Sequence, residues 1–213
     1  MPKVYFFDFD GVIIDSTRIK TDAFYELFLQ HGEDIAQKIR DYHLRNQGVD
    51  RFKKIRYAFS DIMNLPCPDQ TIETYAAGFS KIVFDKILSC DFVPGALDFL
   101  RRLKDHDAKV FLLSATPDAE LKEICRARGL EGLFTEICGS PTSKPQHGER
   151  ILKEYDLARE DVIFWGDSAS DLSASQALHV DFVGITYKNE YQFPSDVTTI
   201  PDFTGDHATQ FRP

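Results

Sequence analysis

The sequence predicts an α/β fold: a doubly wound parallel sheet with an inserted α-helical cap domain. Short apolar runs recur along most of the 213 residues, and helical patterns separate them. Runs that are apolar at every position are typical of strands that helices cover on both faces. Strand, helix and strand in that order indicate a parallel sheet, and one long segment with helical patterns alone indicates an insertion.

Five runs are the predicted strands, and three segments between them are predicted helices. The strands cover residues 4–9, 109–114, 136–139, 162–165 and 182–186, and the helices cover residues 95–105, 119–129 and 148–155. The first of these helices follows Pro94 and Gly95, and its apolar residues Ala96, Leu100 and Leu103 recur at helical spacing.

The long helical segment is the predicted cap. It extends from residue 16 to residue 89, with one apolar stripe that begins at Ile19 and a second that begins at Phe52. We therefore predict two domains: residues 1–15 and 90–213 form the catalytic core, and residues 16–89 form the cap.

Composition and charge argue against several classes of protein. Asp and Glu total 34 against 25 Lys and Arg, so the net charge is −9, and such a chain has no general affinity for nucleic acid or anionic lipid. No apolar run reaches the roughly 18 residues that span a bilayer, and two early carboxylates are unlike a secretory signal. The four cysteines have neither a metal-ligand spacing nor a disulfide pattern. We expect a cytoplasmic monomer or homodimer whose partner is a small molecule, with no nucleic acid and no membrane.

Carboxylates follow two of the predicted strands. Asp8 and Asp10 end the first strand, and Asp167 and Asp171 follow the fourth, four residues apart and thus on one face if a helix begins there. The carboxyl ends of parallel strands share one edge, where ligands bind. Grouped carboxylates repel one another unless a cation is present, and Mg²⁺ prefers oxygen ligands. One such aspartate would be an ordinary turn or cap residue; two strand ends favour a metal site.

Hydroxyl and ammonium groups follow two other strands. Ser114 and Thr116 end the second strand, and Thr116 with Pro117 predicts a helix start whose free amides can bind phosphate. Lys144 follows the third strand, and Pro145 predicts an extended conformation that lets the ammonium group project. Alone, the hydroxyl pattern is a weak signal, because any turn from a strand to a helix has it, and an exposed loop lysine is the more common explanation of Lys144.

Taken in order, these four groups resemble the motifs of the haloacid dehalogenase superfamily, in particular its phosphoglycolate phosphatase and β-phosphoglucomutase-like subgroup with a helical cap. The motifs are DFDGVIIDS at residues 8–16, LLSAT at residues 112–116, SKP at residues 143–145 and WGDSASD at residues 165–171. The resemblance covers the whole chain. It implies a Rossmann-like core and a mobile cap that closes over the substrate.

The resemblance also implies a role for each motif residue. Asp8 is the implied nucleophile, which forms an aspartyl phosphate, and Asp10 is the implied general acid and base. The implied phosphate-binding residues are Ser114, Ala115, Thr116 and Lys144, of which Ser114 and Lys144 act in catalysis. The implied Mg²⁺ ligands are Asp8, Asp10 through its backbone carbonyl, Asp167 and Asp171, the last supporting either the metal or Lys144. Dehalogenases of the superfamily lack an aspartate at the position of Asp10, so its presence favours phosphoryl transfer.

The predicted cap carries a basic segment. Residues 38–56 contain seven Lys and Arg against two Asp, a net charge of +5. A solvated helix face is one explanation. However, Gly-Val-Asp-Arg at residues 48–51 resembles the Gly-Val-Ser-Arg cap loop of β-phosphoglucomutase-like members, whose arginine reaches a second anionic group of the substrate. Arg51 is therefore the implied substrate-binding residue of the cap, followed by Arg45, Arg56 and Lys54.

Three functions stay open. The mutases carry a histidine in the first cap helix, where this chain has Lys20, and a lysine is a poor proton shuttle near neutral pH unless its pKa is lowered. We therefore expect a Mg²⁺-dependent phosphatase of a small phosphorylated metabolite, such as a sugar phosphate, phosphoglycolate or a nucleotide. The alternatives are a phosphosugar mutase and a non-catalytic protein that binds phosphorylated metabolites.

Overall fold

The computed structural model describes residues 4–188 and 191–205. Within these residues, the strands are β1 (Val4–Phe7), β2 (Lys109–Pro117), β3 (Glu136–Ser140), β4 (Val162–Gly166), β5 (Asp181–Ile185) and β6 (Thr199–Ile200). All pairs are parallel, and the strand order is β3-β2-β1-β4-β5-β6. This is the order of a doubly wound sheet, so the predicted fold class is confirmed.

Helices cover both faces of the sheet and extend over its edge. They are α1 (Thr17–Phe28), α2 (Glu33–Arg45), α3 (Arg51–Tyr57), α4 (Asp69–Ser89), α5 (Ala96–Asp105), α6 (Asp118–Ala127), α7 (Lys144–Glu154) and α8 (Ala169–Leu178). A π-helical turn, Ala58–Ile62, continues α3. Helices α1 to α4 lie between β1 and α5, where the sequence contains helical patterns alone, and we call them the cap helices. No helix in the described ranges is both long enough and apolar enough to cross a bilayer.

The central strand β1 is buried on both faces. Tyr5 and Phe7 contact the ring of Phe99 on one face, whereas Phe6 contacts the rings of Phe111 and Phe164 on the opposite face. These three side chains of β1 are fully buried. A strand with two covered faces can be apolar at every position, which explains the continuous apolar run in the sequence.

The prediction that Lys144 is extended is wrong. Lys144 is the first residue of α7 and not an extended residue before it. Ser143 caps the helix through a reciprocal capping box with Gln146, and Pro145 occupies the first turn, where its missing N–H has no helical partner to lose. The strong helix-start signal of Ser143 therefore overrides the tendency of a residue before proline to be extended.

Two further local predictions fail. Thr116 does not cap a helix, because β2 continues to Pro117 and α6 begins at Asp118. Phe52 was expected on the buried stripe of the cap, yet it is 39% exposed. Helix α3 instead buries Arg51, Lys54 and Ile55, so two basic side chains point inward where an aromatic one was expected.

Candidate active site

The candidate site lies at the carboxyl ends of β1 and β4, the two neighbouring strands at which the sheet order reverses. Phe7 pairs with Trp165, and the backbone N–H of Asp8 donates to the carbonyl oxygen of Trp165 at 2.9 Å. Asp8 and Asp167 each follow the last residues of their strands. Parallel pairing therefore brings together two carboxylates that are far apart in the sequence, as the strand-end pattern predicts.

Three buried carboxylates form a cluster at this edge. Oxygen atoms of Asp8, Asp167 and Asp171 all lie within 4.8 Å of one another. Lys144 Nζ donates to Asp8 Oδ1 at 2.8 Å and also to Asp171 Oδ1. A Cβ on Gly166 would lie 2.2 Å from the Cβ of Asp171, so glycine is needed here for α8 to come this close to β4.

Burial and mutual repulsion raise the pKa values of two carboxyl groups in the cluster. Burial raises the pKa of Asp8 to about 7, and Asp171 and Asp10 act in the same direction while Lys144 opposes them. Burial and the neighbouring Asp8 also raise the pKa of Asp167 well above its ordinary value. Three carboxylates with one ammonium group are a donor set that suits a hard divalent cation.

The Asp10 carboxylate belongs to a separate hydrogen-bond network. Its oxygens accept from Lys20 Nζ at 2.5 Å, from Ser16 Oγ at 2.6 Å and from Thr116 Oγ1 at 3.2 Å. Lys20 Nζ also donates to Thr116 Oγ1 at 2.9 Å. Although burial acts to raise it, these donors hold the pKa of Asp10 below its ordinary value. Residues of α1 and β2 thus fix the carboxylate beside the cluster.

The cap helices cover this site. A cavity of about 60 Å³ has Asp8, Asp10 and Thr116 on the core side and Phe24, His43 and Lys54 on the cap side. Ser114 and Lys144 border a neighbouring cleft of about 200 Å³, and Ala115 borders both spaces. Gly48 lies where the loop of the cap contacts the core. A Cβ at this position would lie 2.0 Å from Ser170 Oγ, and the φ of Gly48 is +80°. Only glycine lets the cap loop approach the core so closely.

The two cap arginines named from the sequence occupy different places. Arg51 borders the cavity, but its guanidinium forms a two-pronged ion pair with Glu120 of α6, at 2.9 and 2.7 Å, and donates to Ser80 Oγ at 2.5 Å. Arg45 is exposed at the end of α2 and borders neither space. Their roles as substrate-binding residues stay predictions.

Sequence reasoning named Lys54 only as a minor candidate of the cap, and it missed two further polar residues of the cavity. Lys54 and His43 are buried together, with Lys54 Nζ 3.1 Å from His43 Nδ1, and Gln47 borders the same space. The basic segment drew attention to this region, but only the helix rotation selects Lys54 from its neighbours. By contrast, His147 has a structural role, because its Nε2 pairs with the carbonyl oxygen of Gly139 at 2.9 Å.

A doubly wound sheet with a cluster of buried aspartates at its switch point, two of which bind one lysine, is typical of a class of enzymes with acidic, cap-covered sites. A family model of the haloacid dehalogenase-like hydrolases matches residues 2–179. The chain belongs to this family, and the predicted family and hydrolase class are confirmed.

Relatives and structural neighbours agree with this assignment. The chain is 25% identical to phosphoglycolate phosphatase 1 of Pseudomonas aeruginosa over 195 residues. The matched region covers 88% of this chain and 70% of that protein. The chain is also 24% identical over 201 residues to phosphoglycolate phosphatase of Pseudomonas putida, covering 92% and 74%. Among solved structures, β-phosphoglucomutase of Clostridium difficile has a TM-score of 0.77 at 19% identity, covering 99% and 96% of the two chains. CbbY of Rhodobacter sphaeroides in complex with phosphate has a TM-score of 0.74 at 17% identity, covering 95% of each chain.

Proposed function

We propose that this protein is a Mg²⁺-dependent phosphatase that hydrolyses a small phosphorylated metabolite through an aspartyl phosphate on Asp8. One observation carries the proposal: the Asp8 carboxylate is buried at the base of a covered cavity, is bound by Lys144, and lies beside the separately held Asp10. A nucleophile, a phosphate-binding cation and a proton carrier thus meet at one point. The names of the curated relatives, phosphoglycolate phosphatases, support the same reaction.

The carboxylate cluster fits the metal that this chemistry uses. Asp8 and Asp167 are the proposed side-chain ligands, and the Asp10 backbone carbonyl is the proposed third ligand. Both oxygens of Asp171 have protein donors, Lys144 on one and Ser168 on the other. We therefore assign Asp171 to holding Lys144. When bound, Mg²⁺ neutralises charge between the anionic substrate and the anionic nucleophile.

The residues of the chain can then carry out two displacements. In the first, an Asp8 oxygen bonds to phosphorus, the bond to the ester oxygen breaks, and Asp10, protonated in the complex with the anionic substrate, gives that oxygen its proton. In the second, Asp10 takes a proton from water, whose oxygen bonds to phosphorus and releases Asp8. Lys144 and Ser114 bind the phosphoryl oxygens and position the group for both steps. The covering cap keeps other water away.

The mutase alternative receives no separate support from the site. At the position of the mutases' histidine, Lys20 donates to Asp10, and a lysine held in an ion pair is a poor carrier of protons between two substrate oxygens. The likeness to β-phosphoglucomutase concerns the fold. We further propose that the phosphatase acts in the cytoplasm, and its four cysteines are free thiols.

The test is a phosphate-release assay with phosphoglycolate, sugar phosphates and nucleotides, with Mg²⁺ and after chelation. We expect release that requires Mg²⁺ and that Asp8→Asn reduces by about three orders of magnitude or more, because a carboxamide is a far weaker nucleophile. Asp98→Asn, at an exposed site on α5, is the matched control. Undiminished release by Asp8→Asn would contradict the mechanism. Isomerisation of a hexose phosphate in the presence of a bisphosphate primer would establish the mutase instead.

A further inference from the structure

Lys54 is a buried lysine whose position the fold alone does not explain. It is 3% exposed, its Nζ lies 3.1 Å from His43 Nδ1, and it lies 5.6 Å from the ring centroid of Phe24. No carboxylate of the described residues lies within ion-pair distance of it. Burying a charge without an opposite charge is costly, and a side chain kept at such a cost points to a function.

The neighbours of Lys54 do not remove that cost. Burial, together with the charge of Lys20, lowers the pKa of Lys54 to about 7. Burial also lowers the pKa of His43 well below its ordinary value, so the imidazole is neutral and its Nδ1 can accept a hydrogen bond. His43 therefore orients the amine without balancing its charge.

The three basic side chains on the cavity differ in what they already bind. Lys20 is bound to Asp10, and Arg51 is bound to Glu120. Lys54 borders the same cavity and is the basic residue there for which the described residues provide no carboxylate. Gln47 also borders the cavity, and its Oε1 is buried without a hydrogen-bond partner among the described residues. The cap side of the cavity thus offers polar groups that a substrate can satisfy.

We propose that Lys54 is a specificity residue that binds a second anionic group, a carboxylate, at the end of a short phosphomonoester. The inference rests on the proposed function, which places the phosphoryl group at Asp8 on the opposite side of the cavity. The base of the cavity, at Asp8, then faces the phosphate end of the substrate, and the basic cap side of the cavity faces the carboxylate end. The small volume, about 60 Å³, favours a backbone of few carbon atoms.

The test compares two phosphomonoesters of equal length, 2-phosphoglycolate and 2-hydroxyethyl phosphate, which differ in whether the far end is a carboxylate or a neutral alcohol. We expect wild type to prefer the carboxylate in kcat/KM, and Lys54→Met to reduce that preference by about tenfold to a hundredfold through KM, the usual effect of one charged hydrogen bond. Lys38→Met, an exposed lysine on α2, makes the same charge change in the cap and should keep the preference.

Binding to Asp8→Asn, measured by titration calorimetry with both esters, separates this inference from the proposed function. Tighter binding of phosphoglycolate that is lost in Asp8→Asn/Lys54→Met supports the role of Lys54, even if wild type hydrolyses neither ester. Equal binding of the two esters, or a preference that survives Lys54→Met, overturns it. Thermal unfolding of each variant verifies that Met at this position leaves the protein folded.

Discussion

Lys20 is the residue of the first cap helix that holds the Asp10 carboxylate. Its ammonium donates to both Asp10 and Thr116, and so connects the first cap helix to the carboxyl edge of the sheet. The ion pair fixes which way the Asp10 carboxylate points. Without it, Ser16 and Thr116 would still donate to Asp10, but the carboxylate would lose its shortest contact and the charge that holds it.

Lys20→Met should therefore lower kcat with little change in KM. We expect a decrease of roughly tenfold to a hundredfold, a part of what general acid–base catalysis contributes, because Asp10 is misaligned and the substrate contacts are kept. Lys20→Arg should recover part of the loss. Steady-state kinetics with the best substrate of the panel measures both values, and Arg18→Met, whose side chain is 92% exposed on the same helix, is the control. An increase confined to KM would show that Lys20 binds substrate.

Lys54→Met should stabilise the free protein at neutral pH and below. Below pH 7 both the folded and the unfolded state hold the Lys54 proton, so the fold bears the cost of the buried charge. Between pH 7 and 10.5 the folded lysine is neutral while the unfolded one remains protonated, so wild-type stability rises with pH. The titratable groups that surround Lys54 and influence its protonation are His43, Lys20, Asp10, Asp50 and Asp167.

We expect Lys54→Met to increase the free energy of unfolding by about 3 kcal/mol at pH 6. The difference in this free energy between the variant and wild type should become smaller toward pH 10. Denaturant titrations at several pH values, with metal absent, measure it. Lys38→Met should show no such difference. A gain for Lys54→Met that does not depend on pH would mean that packing, and not charge, is responsible.

At the scale of elements, strands were more predictable than helix ends. Buried parallel strands leave continuous apolar runs, so five strands were recognised within a few residues of their bounds. The two-residue β6 leaves no periodic signal, and it was missed. The sequence also does not predict which face of α3 is buried. By hydrophobicity alone Phe52 should be buried, but Lys54 is buried in its place. Tertiary packing around the cavity outweighs that preference.

The ion pair between Arg51 and Glu120 connects two elements, α3 of the cap and α6 of the core. Its partners are 5% and 13% exposed, and Ser80 of α4 donates to the same Glu120 carboxylate at 2.7 Å. Arg51 also lies 4.8 Å from the ring centroid of Phe79. Glu120 thus accepts three hydrogen bonds, two from Arg51 and one from Ser80. These bonds hold the cap helices against α6 beside the cavity.

Glu120→Gln should favour an open cap, because Arg51 then remains buried beside a neutral amide. A charged hydrogen bond contributes about 1.5 to 3 kcal/mol, so we expect at least a tenfold increase in the rate of amide hydrogen exchange around Gly48, where the cap loop meets the core. Hydrogen–deuterium exchange with mass spectrometry measures it. Glu123→Gln, an exposed position on the same helix, should leave exchange unchanged; equal effects of the two variants would argue against a specific contact.

For the whole molecule, what could be predicted about the site follows from topology. Residues at the carboxyl ends of parallel strands must share one edge, so the meeting of Asp8, Asp167 and Lys144 could be expected from three short motifs. Cap residues obey no such rule, because their positions depend on how four helices pack over that edge. The charge of the segment predicted a basic cap, yet not that Arg51 would be bound by Glu120 while Lys54 faced the cavity.

The carboxylate cluster also links the stability of the whole molecule to metal. Three buried carboxylates within 4.8 Å repel one another in the free protein, and a cation bound only by the folded state stabilises it by mass action. At one hundred times its dissociation constant, Mg²⁺ should contribute about 2.7 kcal/mol, a rise in Tm of roughly 5 to 10 °C.

Asp167→Asn separates this metal effect from general salt effects. The variant removes one repelling charge, so we expect a higher Tm than wild type in chelator and little further rise on adding Mg²⁺. Differential scanning fluorimetry with Mg²⁺ titrations, and with NaCl at matched ionic strength, measures both quantities. A Tm that rises equally in Asp167→Asn and wild type would place the cation elsewhere. A wild-type Tm that does not respond to any divalent cation would remove the metal from the proposed mechanism.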